Sequence, residues 1–246
     1  MIPRSARRAR IGVRTTVSGM AGATPSSSQS SPAFVADHPG VNELFALLAY
    51  GELAAFYRLT DEARMSPDMR GRINMARMAA AEMGHFAMLQ DALEARGVDV
   101  LPAMTRYAPA LEQYHRLTTP STWLEALVKT YVGDALAADL YLAIADSLPA
   151  EVADVVRAVL AETGHSQFVV GEVRAAVTAS GRQRSRLALW SRRLLGEAIT
   201  QAQYILADHD ELVELVLAGG GLGQISDFFD QLQKTHDERM RELGLA

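Results

Sequence analysis

The stretch Ala80-Ala81-Glu82-Met83-Gly84-His85 has a partial copy 80 residues later, Leu160-Ala161-Glu162-Thr163-Gly164-His165. Both copies lie in runs rich in Ala, Leu, Met and Val, a composition that favours helix. On a helix, residues three apart share one face at a Cβ separation of about 5–6 Å, so each copy directs a carboxylate and an imidazole toward one point. One copy would arise easily by chance, but two copies with Gly before His predict a paired metal site.

Composition predicts an all-helical protein. The chain has 246 residues, 49% of them hydrophobic, which is enough for one sizeable core. Only 7% are aromatic, and the abundance of Ala, Leu, Met, Glu and Arg favours helices over sheets. The absence of cysteine excludes disulfides, thiolate zinc sites and cysteine-bound iron–sulfur clusters. Any metal must therefore be bound by histidines and carboxylates.

The first 40 residues differ in composition from the rest. They contain five arginines and many Ser, Thr, Gly and Pro residues but no sustained apolar periodicity, so we expect a disordered tail over 1–40 and one helical domain over 41–246. The tail also has features of an organelle transit peptide, and Met20 is an alternative start. No apolar run is long enough for a membrane span, and we expect a cytoplasmic protein.

Apolar periodicity and turn residues predict six helices after the tail. A connection rich in proline, from Gly97 to Pro120, separates the second helix from the third. It is too long for a simple turn and predicts a crossover along the bundle. The predicted helices span 41–64, 67–97, 122–147, 149–179, 185–217 and 224–243.

A carboxylate-bound di-iron bundle takes one carboxylate from each of two helices and a Glu-x-x-His pair from each of the other two. Glu52 lies 30 residues before Glu82, and Asp134 lies 28 residues before Glu162, each following a Gly. An N/O donor set with open positions suits non-haem iron, with manganese as the alternative. The predicted metal ligands are Glu52, Glu82, His85, Asp134, Glu162 and His165.

Other polar residues are weaker candidates. Asp139 competes with Asp134 for the third carboxylate, but its spacing fits less well, so we expect it to support a ligand indirectly. Tyr131 is a second candidate for such support, although core packing with a bonded hydroxyl explains it equally well. The histidines without a carboxylate at metal spacing are interpreted as surface or structural residues: His115, His209 and His236.

A cluster of arginines precedes the C-terminal helices. It offers a basic face that would dock RNA, whereas a solvated helix face is the simpler interpretation. Residues 41–246 are acidic, which disfavours general nucleic-acid binding. The cluster comprises Arg182, Arg184, Arg186, Arg192 and Arg193.

From Val41 to Ala246 the chain resembles bacterial ferritin-like proteins related to the methylthio-isopentenyladenosine tRNA hydroxylase. The resemblance rests on Leu48-Ala49-Tyr50-Gly51-Glu52, on Tyr131-Val132-Gly133-Asp134 and on the two Glu-x-Gly-His sequences. It implies a ferritin-like four-helix bundle with a long crossover and two added C-terminal helices. It also implies that the six predicted ligands bind two iron ions. The third ligand, Asp134, is shorter than the Glu usual in the superfamily.

The resemblance further implies a monooxygenase that uses dioxygen and an electron-donor protein to hydroxylate the isopentenyl group of a modified adenosine in tRNA. Two other functions stay open: iron oxidation or peroxide handling, and a non-enzymatic ferritin-like module. Because two added helices disfavour a closed cage, we expect a homodimer.

Overall fold

The amphipathic runs form helices, and no strand occurs in the described part of the chain. A computed structural model describes residues 36–146, 148–161, 166–217 and 222–246, apart from the side chains of 166 and 222–228. The helices are α1 (Pro39–Glu62), α2 (Met69–Ala95), α3 (Val100–Thr105), α4 (Ala108–Leu117), α5 (Trp123–Ala145), α6 (Ala150–Val159), α7 (Ser166–Ala179), α8 (Gly181–Asp208), α9 (Asp210–Leu217) and α10 (Leu222–Glu242). The predicted all-α class is confirmed.

The long helices α1 and α2 pack against each other and carry the first half of the candidate site. The Asp68 side chain starts α2 by accepting a hydrogen bond from the Gly71 amide at 2.8 Å. Gly97, at φ +72°, ends it, since this left-handed conformation carries no Cβ penalty in glycine. A three-residue 3₁₀ turn, Ala63–Met65, follows α1, so the two helices run antiparallel.

The connection between α2 and α5 is itself helical. The sequence pattern predicted a crossover over 97–120 without helices of its own, whereas α3 and α4 occupy most of this connection. Pro109 lies in the first turn of α4, where backbone amides have no hydrogen-bond partner within the helix, so proline sacrifices no hydrogen bond there. The crossover thereby adds a helix to the side of the bundle, because α4 packs against α1 and α8.

Two predicted helices are interrupted. The fourth stops at Val159, since Leu160 turns out of the helix at φ −90° and ψ 7°, and α7 begins at Ser166. The fifth begins at Gly181, earlier than predicted, because the Ser180 side chain caps this helix by accepting a hydrogen bond from the Gln183 amide. It breaks at His209 into α8 and α9. The sequence Asp208-His209-Asp210 consists of weak helix formers.

The apolar side chains form two buried clusters. One gathers Leu44, Leu48, Leu89 and Leu93 with residues of α3, α6 and α9. The other joins Leu59 and residues of α2 to α5, α7, α8 and α10. Side chains from both clusters line the cavity of the candidate site.

Candidate metal site

Glu52 on α1 meets Glu82 and His85 on α2. His85 Nδ1 lies 3.4 Å from Glu52 Oε2 and 3.3 Å from Glu82 Oε2. All three side chains are less than one-fifth exposed. Glu82 and His85 share a face of α2 because they are three residues apart, and the packing of α1 brings Glu52 opposite them.

The three groups change one another's proton affinity. Burial, together with the neighbouring Glu82 carboxylate, raises the pKa of Glu52 to about 8 against the opposing effect of His85. Hydrogen bonds to Glu52 and then Glu82 raise the pKa of His85 to about 10. Burial acts to raise the pKa of Glu82, but its hydrogen bonds to His85 and Glu52 outweigh burial and lower it. The two carboxyl groups therefore favour a positive charge beside them, and the protonated His85 ring supplies part of that charge.

This donor set fits one metal ion. The ligand atoms of Glu52, Glu82 and His85 all lie within 4.8 Å of one another. Atoms bound to one metal at about 2.1 Å lie about 3.0–3.4 Å apart at right-angle or tetrahedral geometry, which matches the distances from His85 Nδ1. Two carboxylates and one imidazole with further positions open are a donor set that suits iron or manganese.

The cluster borders a cavity of about 510 Å³. A volume of this size is typical of small-molecule sites, which lie at about 300–1,000 Å³. The walls of the cavity combine apolar residues such as Leu48, Met78 and Val169 with charged groups. The Glu52, Glu82 and His85 cluster thus adjoins a space large enough for an organic molecule.

Asp134 lines the same cavity but belongs to a second polar network. Its Oδ1 accepts a hydrogen bond from Arg58 Nη2 at 2.8 Å. Burial raises the pKa of Asp134 to about 7 against the effect of Arg58. Although 43% of the Asp134 side-chain surface is accessible, this residue lines the cavity, and its accessible part faces that space. The structure thus places the predicted third carboxylate beside the cavity with a cation already bound to it.

Arg58 connects this network across α1 and α5. Its Nη1 donates to Glu62 at 3.1 Å and to Thr130 at 3.0 Å, while Lys129 Nζ lies 3.8 Å from Glu62. Burial and the Arg58 charge lower the pKa of Lys129 to about 8. Arg58 and Lys129 were not predicted from the sequence as site residues. Lys129 could have been, because it lies in the run Leu127-Val128-Lys129-Thr130, and a cation buried among apolar residues needs an anionic partner.

The helix α4 adds two more residues that sequence reasoning missed. Tyr114 and His115 line the cavity, and Tyr114 Oη and His115 Nδ1 are buried without a hydrogen-bond partner among the described residues. Burial, assisted by the charges of Arg58 and Lys129, lowers the pKa of His115 to about 3, so its ring is neutral at pH 7. His115, interpreted from sequence as surface or structural, is a cavity residue.

The two candidates for indirect support of the metal hold α10 instead. Asp139 accepts two hydrogen bonds from Arg239, at 2.6 and 2.7 Å, and one from Thr235 at 2.9 Å. The Tyr131 hydroxyl donates to Glu242 near the end of α10. These hydrogen bonds attach α5 to α10, and both residues also line the cavity.

The second Glu-x-Gly-His sequence, with Glu162 and His165, lies outside the described residues. Both residues remain predicted ligands.

The arginines of α8 do not share one helix face. At 100° per residue, Arg182, Arg186 and Arg193 lie on one side, whereas Arg184 and Arg192 lie on others. Arg186 donates to Glu125 at 2.9 Å and to Ser121, and Arg193 donates to the Leu117 carbonyl. These two arginines therefore attach α8 to α5 and to the end of α4, even though all five are exposed.

A helical bundle in which adjacent long helices direct two carboxylates and an imidazole toward one point is the arrangement from which carboxylate-type metal sites are built. Residues 37–219 match the family described as "Ferritin-like domain, actinomycetes", and the chain belongs to this ferritin-like family. A search of curated proteins finds no match. None of the described helices is long and apolar enough to cross a membrane.

Proposed function

We propose that this protein is a non-haem iron oxidoreductase that uses dioxygen to hydroxylate a small organic molecule in the cavity beside Glu52, Glu82 and His85. The observation that carries the proposal is the cavity of about 510 Å³ beside Glu52, Glu82 and His85. Iron oxidation alone requires space only for ions, whereas an adjoining cavity with apolar walls suits an organic substrate.

The chain's own residues would bind the metal and shape the reaction space. Glu52, Glu82 and His85 would hold the ion, with Glu162 and His165 as further predicted ligands. When bound, iron supplies the reduction and activation of dioxygen. Apolar side chains such as Leu48 and Val169 exclude water from the substrate space. Tyr114 Oη and His115 Nδ1 offer unpaired polar atoms that would orient a polar group of the substrate.

The reaction needs two electrons from outside the chain. A C–H bond and dioxygen, with two electrons and two protons, give the alcohol and one water. The electron source would be a reduced donor protein. Manganese is the alternative metal, since the same donor set binds it.

A modified tRNA nucleoside is the substrate that the sequence resemblance favours. The side chains that contact RNA would have to come from Arg182, Arg184 and Arg192, because Arg186 and Arg193 already bind groups of the protein. Comparing the hydroxylated and unhydroxylated nucleosides of total tRNA from a deletion strain and its parent tests this substrate directly. Unchanged nucleosides would exclude it.

The oxidoreductase proposal is tested by loading the protein with Fe(II) without air and then adding dioxygen. We expect one bound ion or more per chain and rapid dioxygen consumption, both lost in Glu82→Ala. Glu172→Ala, which changes an exposed carboxylate on α7, serves as the matched control and should behave as the wild type. Protein that binds no iron would contradict the proposal and support a non-enzymatic module.

Repeated turnover separates the proposed hydroxylase from an iron oxidase. An iron oxidase consumes several equivalents of Fe(II) and accumulates ferric product without a reductant. A hydroxylase that lacks its substrate should instead stop after the bound iron has reacted. Accumulation of ferric product over many turnovers would replace the proposed function with iron oxidation.

A further inference from the structure

The carboxylate predicted to bind a second metal ion already has a cation beside it. Arg58 Nη2 donates to Asp134 Oδ1 at 2.8 Å, and Arg58 Nη1 donates to Glu62 and Thr130. The Arg58 side chain is only 6% exposed. Acceptors on α1 and α5 hold its planar group from several sides, which fixes its orientation.

Apart from the Asp139–Arg239 pair, the described charges around the cavity fall into two sets. Glu62 and Asp134 are balanced by Arg58 and Lys129. Among the described cations, His85 is the one that pairs directly with Glu52 and Glu82, while Arg58 acts on Glu82 at longer range. The Glu52 and Glu82 set therefore lacks positive charge that a divalent ion would supply. The Glu62 and Asp134 set is already balanced by its two cations.

A metal ion bound to Asp134 would stand next to the Arg58 guanidinium. Two cations at this separation repel each other, and the 6% exposure of the Arg58 side chain limits how far solvent screens that repulsion. Arg58 cannot relieve this by losing a proton, because its neighbours Asp134 and Glu62 raise its pKa further, against the effect of burial. It also cannot turn away without leaving Asp134 unpaired and Glu62 with Lys129 as its remaining described cation.

We propose that Arg58 takes the place of a second metal ion and limits the site to one ion per chain, bound by Glu52, Glu82 and His85. This inference rests on the proposed metal-dependent function and replaces the iron pair that the sequence resemblance implies with a single ion. Arg58 acts as a positioning residue that holds Asp134 and Glu62 away from the metal.

Metal stoichiometry tests the inference without an activity measurement. Mn(II) is equilibrated with the full chain without air, bound metal is counted by elemental analysis, and the electron paramagnetic resonance spectrum is recorded. We expect one ion per chain and the six-line signal of isolated Mn(II). Arg58→Gln removes the charge and should raise the count to two, with a spin-coupled spectrum. Arg58→Lys keeps a cation and should still bind one.

Each outcome has a defined meaning. A wild type with two ions overturns the inference but leaves the proposed function intact. A wild type with none overturns the proposed function and the inference together. Folded Arg58→Gln that still binds one ion overturns the role of Arg58. If circular dichroism shows this variant unfolded, Asp134→Asn decides: binding within about twofold of wild type supports the inference, and a loss of tenfold or more overturns it.

Discussion

At the scale of single residues, the Glu52, Glu82 and His85 cluster holds protons where a metal would bind. The pKa of Glu52 is raised to about 8 and that of His85 to about 10. At pH 7, Glu52 is therefore mostly protonated and His85 is an imidazolium. A metal ion must displace both protons, because it binds carboxylate and neutral imidazole.

We predict that metal binding releases about two protons per ion at pH 7. Raising the pH removes competing protons, so the dissociation constant should fall as pH rises from 6 to 8, by at least about tenfold per pH unit. Calorimetry with Mn(II) in two buffers of different ionisation enthalpy measures the proton count. Glu52→Gln removes one titrating group and should release about one proton fewer. An affinity independent of pH would contradict the prediction.

Sequence spacing was sufficient to predict that Glu52, Glu82 and His85 lie together. It was insufficient to predict the pairing of Arg58 with Asp134 beside them. The i, i+3 relation of Glu82 and His85 is fixed by helix geometry, and the apolar stripe of α1 placed Glu52 toward the same interior. The pairing of Arg58 with Asp134 depends instead on how far α1 and α5 are shifted along each other, and side-chain packing sets that shift. No local sequence pattern specifies it.

At the scale of helices, Asp139 joins α5 to α10. It is less than one-quarter exposed and receives a bidentate pair from Arg239. We predict that Asp139→Asn lowers the free energy of unfolding by about 1–3 kcal/mol, because charge-assisted bidentate bonds are lost. Urea unfolding of the metal-free protein measures this change.

The same variant distinguishes structural from metal-related roles. The dissociation constant for Mn(II) should stay within about twofold of wild type in Asp139→Asn, and Arg239→Ala should reproduce both results. Weaker Mn(II) binding in Asp139→Asn with intact stability would show that Asp139 supports the metal after all.

The helix boundaries show where sequence patterns were incomplete. The sequence pattern predicted no helix over 97–120, yet Pro102 and Pro109 each stand in the first turn of a helix, where proline is tolerated. Leu160 and His209, where the predicted helices break, are neither Gly nor Pro, although Gly164 follows the first break by four residues. Apolar periodicity continued across both, so the sequence predicted one helix where the structure has two.

At the scale of the whole molecule, α2 presents an apolar face to the outside. Met69 is 64% exposed and Ile73 is 45% exposed. At 100° per residue, this face lies opposite Glu82 and the core. Small residues in its centre permit close approach of another helix. We call this face the α2 stripe; it comprises Met69, Ile73, Ala76, Ala80, Gly84 and Ala87, all exposed.

The charges beside the α2 stripe match those of a second copy. If two α2 helices pack antiparallel about a two-fold axis at Ala80, Arg70 of one copy lies level with Asp91 of the other, within about 1.5 Å along the axis. Both residues are exposed, and the symmetry forms the pair twice. This complementarity favours the homodimer expected from the sequence.

We predict a dimer with twice the 26.7 kDa mass of the chain, measured by sedimentation equilibrium. Ala80→Arg places two like charges at the two-fold axis and should yield monomers without loss of helicity. Leu189→Arg changes an apolar residue of α8 that is 65% exposed and should leave the dimer intact. Arg70→Glu should weaken the dimer, and adding Asp91→Arg should restore it, because the charge pair is then reversed rather than removed. A monomeric wild type, or a dimer insensitive to Ala80→Arg, would show that the α2 stripe is not the dimer interface.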